Sequence, residues 1–325
     1  MYESKSSINN SMKSIGARCL ELGKHRQKLL FQGLNIETIP WRGIKLSLLR
    51  AGPFKAPQIL MLHGVTYSSS SVFHLSVPGY SIEEYSLILQ LAKVGIGCWA
   101  LDFAGYGLSD TSPNQKHETI EDYVDQVSIA IKLIYQQTGQ RPIVAGWSWG
   151  AQVASKLAEK ESNNISGLVF WGGLWGGTGQ ASHIRNLSLP SKSRRINTAE
   201  HASADFKTPS AFDKVVKNAF IIEALFVDPS SPTTGVRETI NNIPLHEPSH
   251  INAPTLVIHG ELDPVSGTQD TIDYVSNLGT FQTRYLVIPE SDHNVQFNHN
   301  RYQLYEALAE FCWDYASELI NIHRD

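Results

Sequence analysis

The chain alternates between short unbroken apolar runs and longer stretches in which apolar residues recur every three or four positions. Runs of the first kind fall at 59–62, 97–101, 142–145, 165–171, 255–258 and 285–288. They lack the in–out alternation of a half-exposed strand, so each is expected to be a strand covered on both faces. Helical patterns occupy 118–137, 150–161, 268–278 and 301–322. In the first of these, Ile120, Val124, Val127, Ile131 and Ile134 share one face, and Gly139 is placed to stop the helix. Strand–helix alternation of this kind predicts an α/β fold, a mostly parallel central sheet flanked by helices.

One stretch breaks the rhythm. From about 174 to 251 there is no buried-strand signal, several Pro and Ser positions, and a helical pattern near 210–226. A structureless loop of that length is uncommon inside a domain. The segment reads as an inserted helical cap, or lid, over the strand ends. The Ser- and Lys/Arg-rich N-terminus reads as a surface helix over about 11–31. Three parts are therefore expected: an N-terminal helical extension (1–35), a core (36–173 and 252–325) and a cap (174–251).

Composition narrows the function classes. The 325 residues are 42% hydrophobic and 18% charged, with a formal charge of −4, as in a globular protein with ample core. No broad basic field points to nucleic acid. No apolar run reaches membrane-spanning length, and the N-terminus lacks the apolar centre of a secretory signal. Cys19, Cys98 and Cys312 are few, odd in number and far apart, which argues against a disulfide framework or zinc site and suits a reducing, cytoplasmic setting. Oligomeric state is not encoded at this level.

The chemistry centres on Gly146-Trp147-Ser148-Trp149-Gly150. A serine hydroxyl is a poor nucleophile until a base takes its proton. It also needs exposure, which a tight strand-to-helix turn provides if the residues two before and two after are small. The pentapeptide is common by chance, but here a strand precedes it and a helix follows. A developing oxyanion would need two donors. The backbone N–H of Trp149, at the helix start, is one candidate; that of Val65, in the His63-Gly64-Val65 loop after the 59–62 strand, is the other. Downstream, Gly260-Glu261-Leu262-Asp263-Pro264 offers Asp263 after one strand. Ser291-Asp292-His293 offers His293 after the next.

With HG after the third strand, DFAGYGLSD after the fourth, GWSWG at the turn, GELDP after the seventh and SDH after the eighth, the chain resembles the α/β-hydrolase superfamily over roughly 45–325, the insertion excepted. The resemblance implies a sheet of about eight strands and a Ser-Asp-His triad carried by Ser148, Asp263 and His293, with a cap domain. The serine at 148 argues against the aspartate-nucleophile relatives, dehalogenases and epoxide hydrolases. Neither cofactor nor metal is implied, and the partner is a small-molecule substrate. The expected activity is hydrolysis of a carboxylic ester or thioester through an acyl-enzyme. Acyl transfer, amide hydrolysis or carbon–carbon cleavage by the same triad, or ligand binding by a receptor of this fold, are the alternatives.

Other features compete for attention. His246-Glu247-Pro248-Ser249-His250 matches the zinc-protease pattern H-E-x-x-H, but Pro248 is incompatible with the helix that pattern needs. Asp102 follows a strand yet is structural in the family pattern, and the His63 side chain is expected to be structural too. Trp147, Trp149, Trp171 and Trp175 map to strand ends on the reacting edge. Each is a candidate wall for an apolar or aromatic substrate group, against the alternative of simple core packing.

Overall fold

The computed structural model describes residues 5–112, 118–178, 192–204 and 206–316. The chain order of strands is β1 (Asn35–Trp41), β2 (Ile44–Ala51), β3 (Gln58–Leu62), β4 (Gly97–Asp102), β5 (Ile143–Trp147), β6 (Gly167–Trp171), β7 (Arg194–Ile196), β8 (Ser230–Pro232), β9 (Thr255–Gly260) and β10 (Thr283–Ile288). Eight of them form one sheet in the order β1-β2-β4-β3-β5-β6-β9-β10, while β7 and β8 pair separately. Strand β2 runs antiparallel to both β1 and β4, and all pairs from β4 to β10 are parallel.

The unbroken apolar runs have a direct cause. Alternate residues of each inner strand enter two separate cores, one on each face of the sheet. Ile59, Met61, Ile143, Ala145, Val169 and Leu256 belong to one. Leu60, Leu62, Val144, Leu168, Phe170 and Val257 belong to the other. The first core is closed by α3 (Leu87–Lys93) and α10 (Arg301–Asp314), through Leu87, Leu91, Leu304 and Leu308. The second is closed by α4 (Ile120–Thr138) and α5 (Trp149–Glu161), through Val124, Val127, Ile131, Val153 and Leu157. Burying each such side chain contributes about 1.5–3 kcal/mol. Helix α4 starts on a reciprocal Thr119–Asp122 capping box and stops at left-handed Gly139, where the sequence places its end. Helix α9 (Thr268–Ser276) follows β9. Helix α10 ends at Asp314, short of the expected 322; the part of that expectation beyond 316 lies outside the described residues.

The two strands that the resemblance places ahead of the third had no apolar run to mark them, and one later stretch departs from the expectation. Strands β1 and β2 form a hairpin through Arg42 and Gly43, both at positive φ (45° and 84°), the backbone signature of a tight hairpin turn. Between β6 and β9 the chain is not purely helical. Besides α6 (Ala199–Ser203), α7 (Lys214–Val227) and α8 (Thr234–Asn241), it contains the antiparallel β7–β8 pair. Residues 179–191 of the expected cap lie outside the described residues.

This intervening segment is tied to the rest at named points. Asp228, directly after α7, accepts hydrogen bonds from Ser68 N (2.9 Å), Ser68 Oγ (2.7 Å) and Gly107 N (2.8 Å). Beside it Asp102 accepts from Ser69 N and Leu108 N, both at 2.9 Å. Burial pushes the Asp102 carboxyl up to about 7, only partly offset by those two N–H groups. The first helix, α1 (Lys5–Phe31), starts earlier than expected and does not stand apart. Its Arg18 donates to Phe226 O at 2.6 Å and its Lys28 pairs with Glu223 at 3.0 Å, both on α7.

Candidate active site

Because β3, β5, β6, β9 and β10 are parallel, their C-terminal ends lie on one edge of the sheet, the edge where α/β sheets assemble their sites. Strand β5 delivers Ser148 there. Its backbone sits at φ 56°, ψ −120°, a strained conformation for a non-glycine residue, immediately before α5. The flanking glycines are sterically required. A Cβ on Gly146 would stand 2.2 Å from Gly150 O, and one on Gly150 would stand 2.3 Å from Leu62 O. Ser148 is partly exposed while Trp147 and Trp149 on either side are buried.

The loops after β9 and β10 bring the other two residues to it. His293 Nε2 lies 2.9 Å from Ser148 Oγ, and His293 Nδ1 lies 2.8 Å from Asp263 Oδ2. A carboxylate can only accept, so Nδ1 carries the proton and Nε2 is left to accept from the serine hydroxyl. Burial alone would raise the Asp263 carboxyl, but the His293 charge and the hydrogen bonds it receives hold it below the ordinary carboxylate value. Those bonds include Val265 N at 2.7 Å and Ser266 Oγ at 2.9 Å.

Behind the carboxylate, His259 Nδ1 lies 3.0 Å from Ser266 Oγ, and Thr268 Oγ1 lies 3.3 Å from His259 Nε2. Since Ser266 donates to Asp263, its oxygen accepts from His259. The Asp263 side chain is therefore locked by a chain of three residues, Ser266, His259 and Thr268. Burial lowers the His259 pKa, keeping this imidazole neutral. Beneath His293, the Trp147 indole donates to the His293 carbonyl at 3.0 Å, and its ring centroid lies 5.1 Å from the imidazole.

Val65 and Trp149 both line a cavity of about 170 Å³ beside Ser148. The N–H of Trp149 is at the first position of α5, where no intrahelical acceptor exists. The side chain of His63, just before Val65, is engaged elsewhere. Its Nδ1 donates to Gly64 O at 2.8 Å and its Nε2 accepts from Phe103 N at 3.2 Å, while burial lowers its pKa to about 4. The remaining lining is mostly apolar: Leu174, Val236, Ile240, Ile243 and Val265, with Gln152, Thr239 and Arg195. Three of these, Val236, Thr239 and Ile240, come from α8.

The tryptophans separate. Trp149 lines the cavity, and its indole donates to Thr239 Oγ1 on α8 at 3.0 Å. Trp147, Trp171 and Trp175 do not line it. Trp147 and Trp171 are adjacent in register and point into the first core beneath the site. Trp175 spends its backbone N–H on Asp270 and its indole on His246 O. The cavity-lining residues that sequence reasoning missed are Gln152 and Arg195 with their apolar neighbours. Only Gln152, one helical turn after Ser148, carried a positional hint.

The H-E-x-x-H match does not form a metal site. Residues Pro248–His250 make a 3-10 turn, with His246 buried and His250 exposed. Among the described residues, no group of three or more His, Cys, Asp and Glu is placed to hold a metal ion. His246 instead sits against Tyr274 and Phe170 with neither ring nitrogen hydrogen-bonded. Burial lowers its pKa from 6.5 to about 3. Below pH 6.5 the unfolded chain takes up this proton and the folded chain does not, so stability drops as the pH is lowered through that window, by about 1.4 kcal/mol per unit. His246→Leu is expected to raise the melting temperature at pH 7 and to flatten its decline toward pH 4.5. Thermal melts at the two pH values check both effects.

Known proteins share the family and the fold. Residues 80–300 match the family model described as serine aminopeptidase, S33. A curated relative, the AB hydrolase superfamily protein YfhM of Bacillus subtilis (strain 168), is 28% identical over 137 residues. That match spans 42% of this chain and 43% of the relative, so less than half of either protein. The epoxide hydrolase VrEH1 from Vigna radiata superposes with a TM-score of 0.64 at 17% identity, covering 87% of this chain and 98% of that one. Est1E from Butyrivibrio proteoclasticus, solved with ferulic acid, gives 0.59 at 18% identity, covering 86% and 98%. At such identities the two structures establish the fold alone. With an eight-stranded, mostly parallel sheet and a family match across well over half its length, the chain belongs to the S33 serine aminopeptidase-like family of α/β hydrolases.

Proposed function

We propose that this α/β hydrolase cleaves carboxylic esters or thioesters of small, mostly apolar substrates through an acyl-enzyme on Ser148. The observation that carries the reading is the unbroken chain Ser148 Oγ–His293–Asp263, with links of 2.9 and 2.8 Å. Ser148 Oγ attacks the carbonyl carbon while His293 Nε2 takes its proton, and Asp263 stabilises the imidazolium that results. The N–H groups of Val65 and Trp149 receive the oxyanion. His293 then protonates the leaving alkoxide or thiolate. In the second half, water attacks the acyl carbon as His293 takes its proton, and Ser148 leaves with the proton returned. The segment 174–251 serves as the cap, closing the cavity with α8.

The lining favours an acyl group without a free ammonium. Its charged member among the described residues is Arg195, and it contains no carboxylate to hold a cationic amino terminus. A short acyl chain or a single ring suits the volume, since an apolar cavity of about 150 Å³ accommodates benzene. Asp263→Asn tests the proton path. Asparagine keeps the side-chain shape but favours the wrong imidazole tautomer, and kcat should fall roughly 10³–10⁴-fold, as in other triads. Steady-state kinetics on a 4-nitrophenyl ester, with folding checked by circular dichroism, gives the answer. A variant of undiminished kcat would remove Asp263 from the mechanism.

A further inference from the structure

Within the cavity the polar side chains do not all have partners. Thr239 Oγ1 accepts from the Trp149 indole and donates to Gly235 O at 2.8 Å. Arg195 donates to Thr66 Oγ1. Gln152 differs. It is 2% exposed, it lines the cavity, and neither its Nε2 nor its Oε1 has a hydrogen-bond partner. Because both atoms are orphaned, the conclusion does not depend on which way the amide is turned. Asn294 and Gln296 also carry orphaned amides, but neither lines this cavity.

A buried donor and acceptor left unpaired are costly, and most such groups in folded proteins are satisfied. The Gln152 side chain lines the cavity, so a group that fills the cavity can supply its amide with a partner. Gln152 is four residues beyond Ser148, and α5 starts directly after the serine. Its Cα is therefore about one helical turn, roughly 6 Å, along the axis from the reacting residue. Around it the wall is apolar, with Leu174, Ile243 and Val265.

Building on the hydrolase reading above, we propose that Gln152 is a specificity-determining residue that selects short acyl groups carrying one neutral hydrogen-bonding group, such as a keto oxygen, hydroxyl or amide, a few bonds from the scissile carbonyl. An apolar acyl group of the same length fills the cavity but leaves the amide unpaired. A site built to hydrogen-bond a substrate group discriminates strongly against the analogue lacking it.

The test pairs 4-nitrophenyl 4-oxopentanoate with 4-nitrophenyl pentanoate, each normalised to its spontaneous hydrolysis, on wild type and Gln152→Met. Methionine keeps the length and removes both polar atoms, so this variant is expected to melt no lower than wild type. In wild type the oxo ester should be favoured in kcat/KM by tenfold or more, on the scale of one buried hydrogen bond. In Gln152→Met the kcat/KM ratio of the oxo ester to the pentanoate should fall to one or below. The same pair is measured as Kd by calorimetry in Ser148→Ala, with and without Gln152→Met, so that recognition is read independently of turnover. Turnover of both esters with the same ratio in both proteins, and equal Kd values, overturns the assignment of Gln152 and leaves the hydrolase reading intact. A Gln152-dependent Kd ratio without any Ser148-dependent turnover supports the recognition role and overturns the hydrolase reading.

Discussion

Ser148→Ala should lower kcat/KM for a small activated ester by at least roughly a thousandfold, the scale on which removing a triad nucleophile acts in other enzymes. The residual rate would come from binding and the oxyanion donors, which the substitution leaves in place. Stability should hardly change. The strained φ of 56° is imposed by the turn and persists with alanine, and the lost hydroxyl makes one hydrogen bond, to His293. Wild type should be labelled by a fluorophosphonate probe at Ser148, and the variant should not be. Equal ester turnover by highly purified wild type and variant would sink the acyl-enzyme mechanism. Labelling at a different serine would relocate it.

Gly150→Ala is expected to have the opposite profile, acting on the fold first. Its added Cβ would meet Leu62 O at 2.3 Å and His63 O at 2.6 Å. Both are backbone atoms at the end of β3, an inner strand hydrogen-bonded on both sides, so no rotamer change relieves the clash. Relief requires α5 to move away from β3, and that motion would separate the N–H groups of Val65 and Trp149 as well. We expect a loss of about 3 kcal/mol or more, at the severe end for a single substitution. Activity should fall in whatever fraction remains folded. Gly23 serves as the control. It lies inside α1 with nothing within 4 Å of an added Cβ, so Gly23→Ala should be neutral or stabilising by up to about 1 kcal/mol. Denaturant melts of both variants test the pair. A Gly150→Ala protein as stable as wild type would show that the close approach at the turn is not required.

How much of this was readable beforehand follows from the physics of each element. The inner strands were legible because both their faces are buried, and they set the order and edge of Ser148 and Asp263. Strand β10, ahead of His293, is instead an edge strand with Tyr285 and Val287 exposed, so the expectation of two covered faces fails there although the apolar run marked the strand. The β1–β2 hairpin was not, since its turn is Arg42-Gly43 rather than a strong turn pair, and β1 is largely exposed at the sheet edge with Pro40 within it. Strands β7 and β8, three residues each, carry no periodicity to read. The tryptophans were partly decidable. Trp147 shares strand parity with Ile143 and Ala145, which assigns its ring to the first core, whereas Trp149 lies past the turn where parity no longer applies. The cavity wall was the least legible part. Val236, Thr239 and Ile240 reach Ser148 only through the tertiary placement of α8, which no local pattern encodes.

The Trp149–Thr239 hydrogen bond gives the molecule a property that neither residue has alone. In the proposed mechanism Trp149 offers its backbone N–H to the reacting carbonyl; its indole N–H donates to α8, and its ring is held edge-on by Phe103 and Tyr123 at 5.6 and 4.9 Å. If α8 lifts to admit a substrate, as the proposed cap would, the motion costs a contact on the residue proposed to stabilise the oxyanion. Admission and chemistry become thermodynamically linked: a substrate too bulky for α8 to settle back against Trp149 would be penalised in its turnover as well as in its binding.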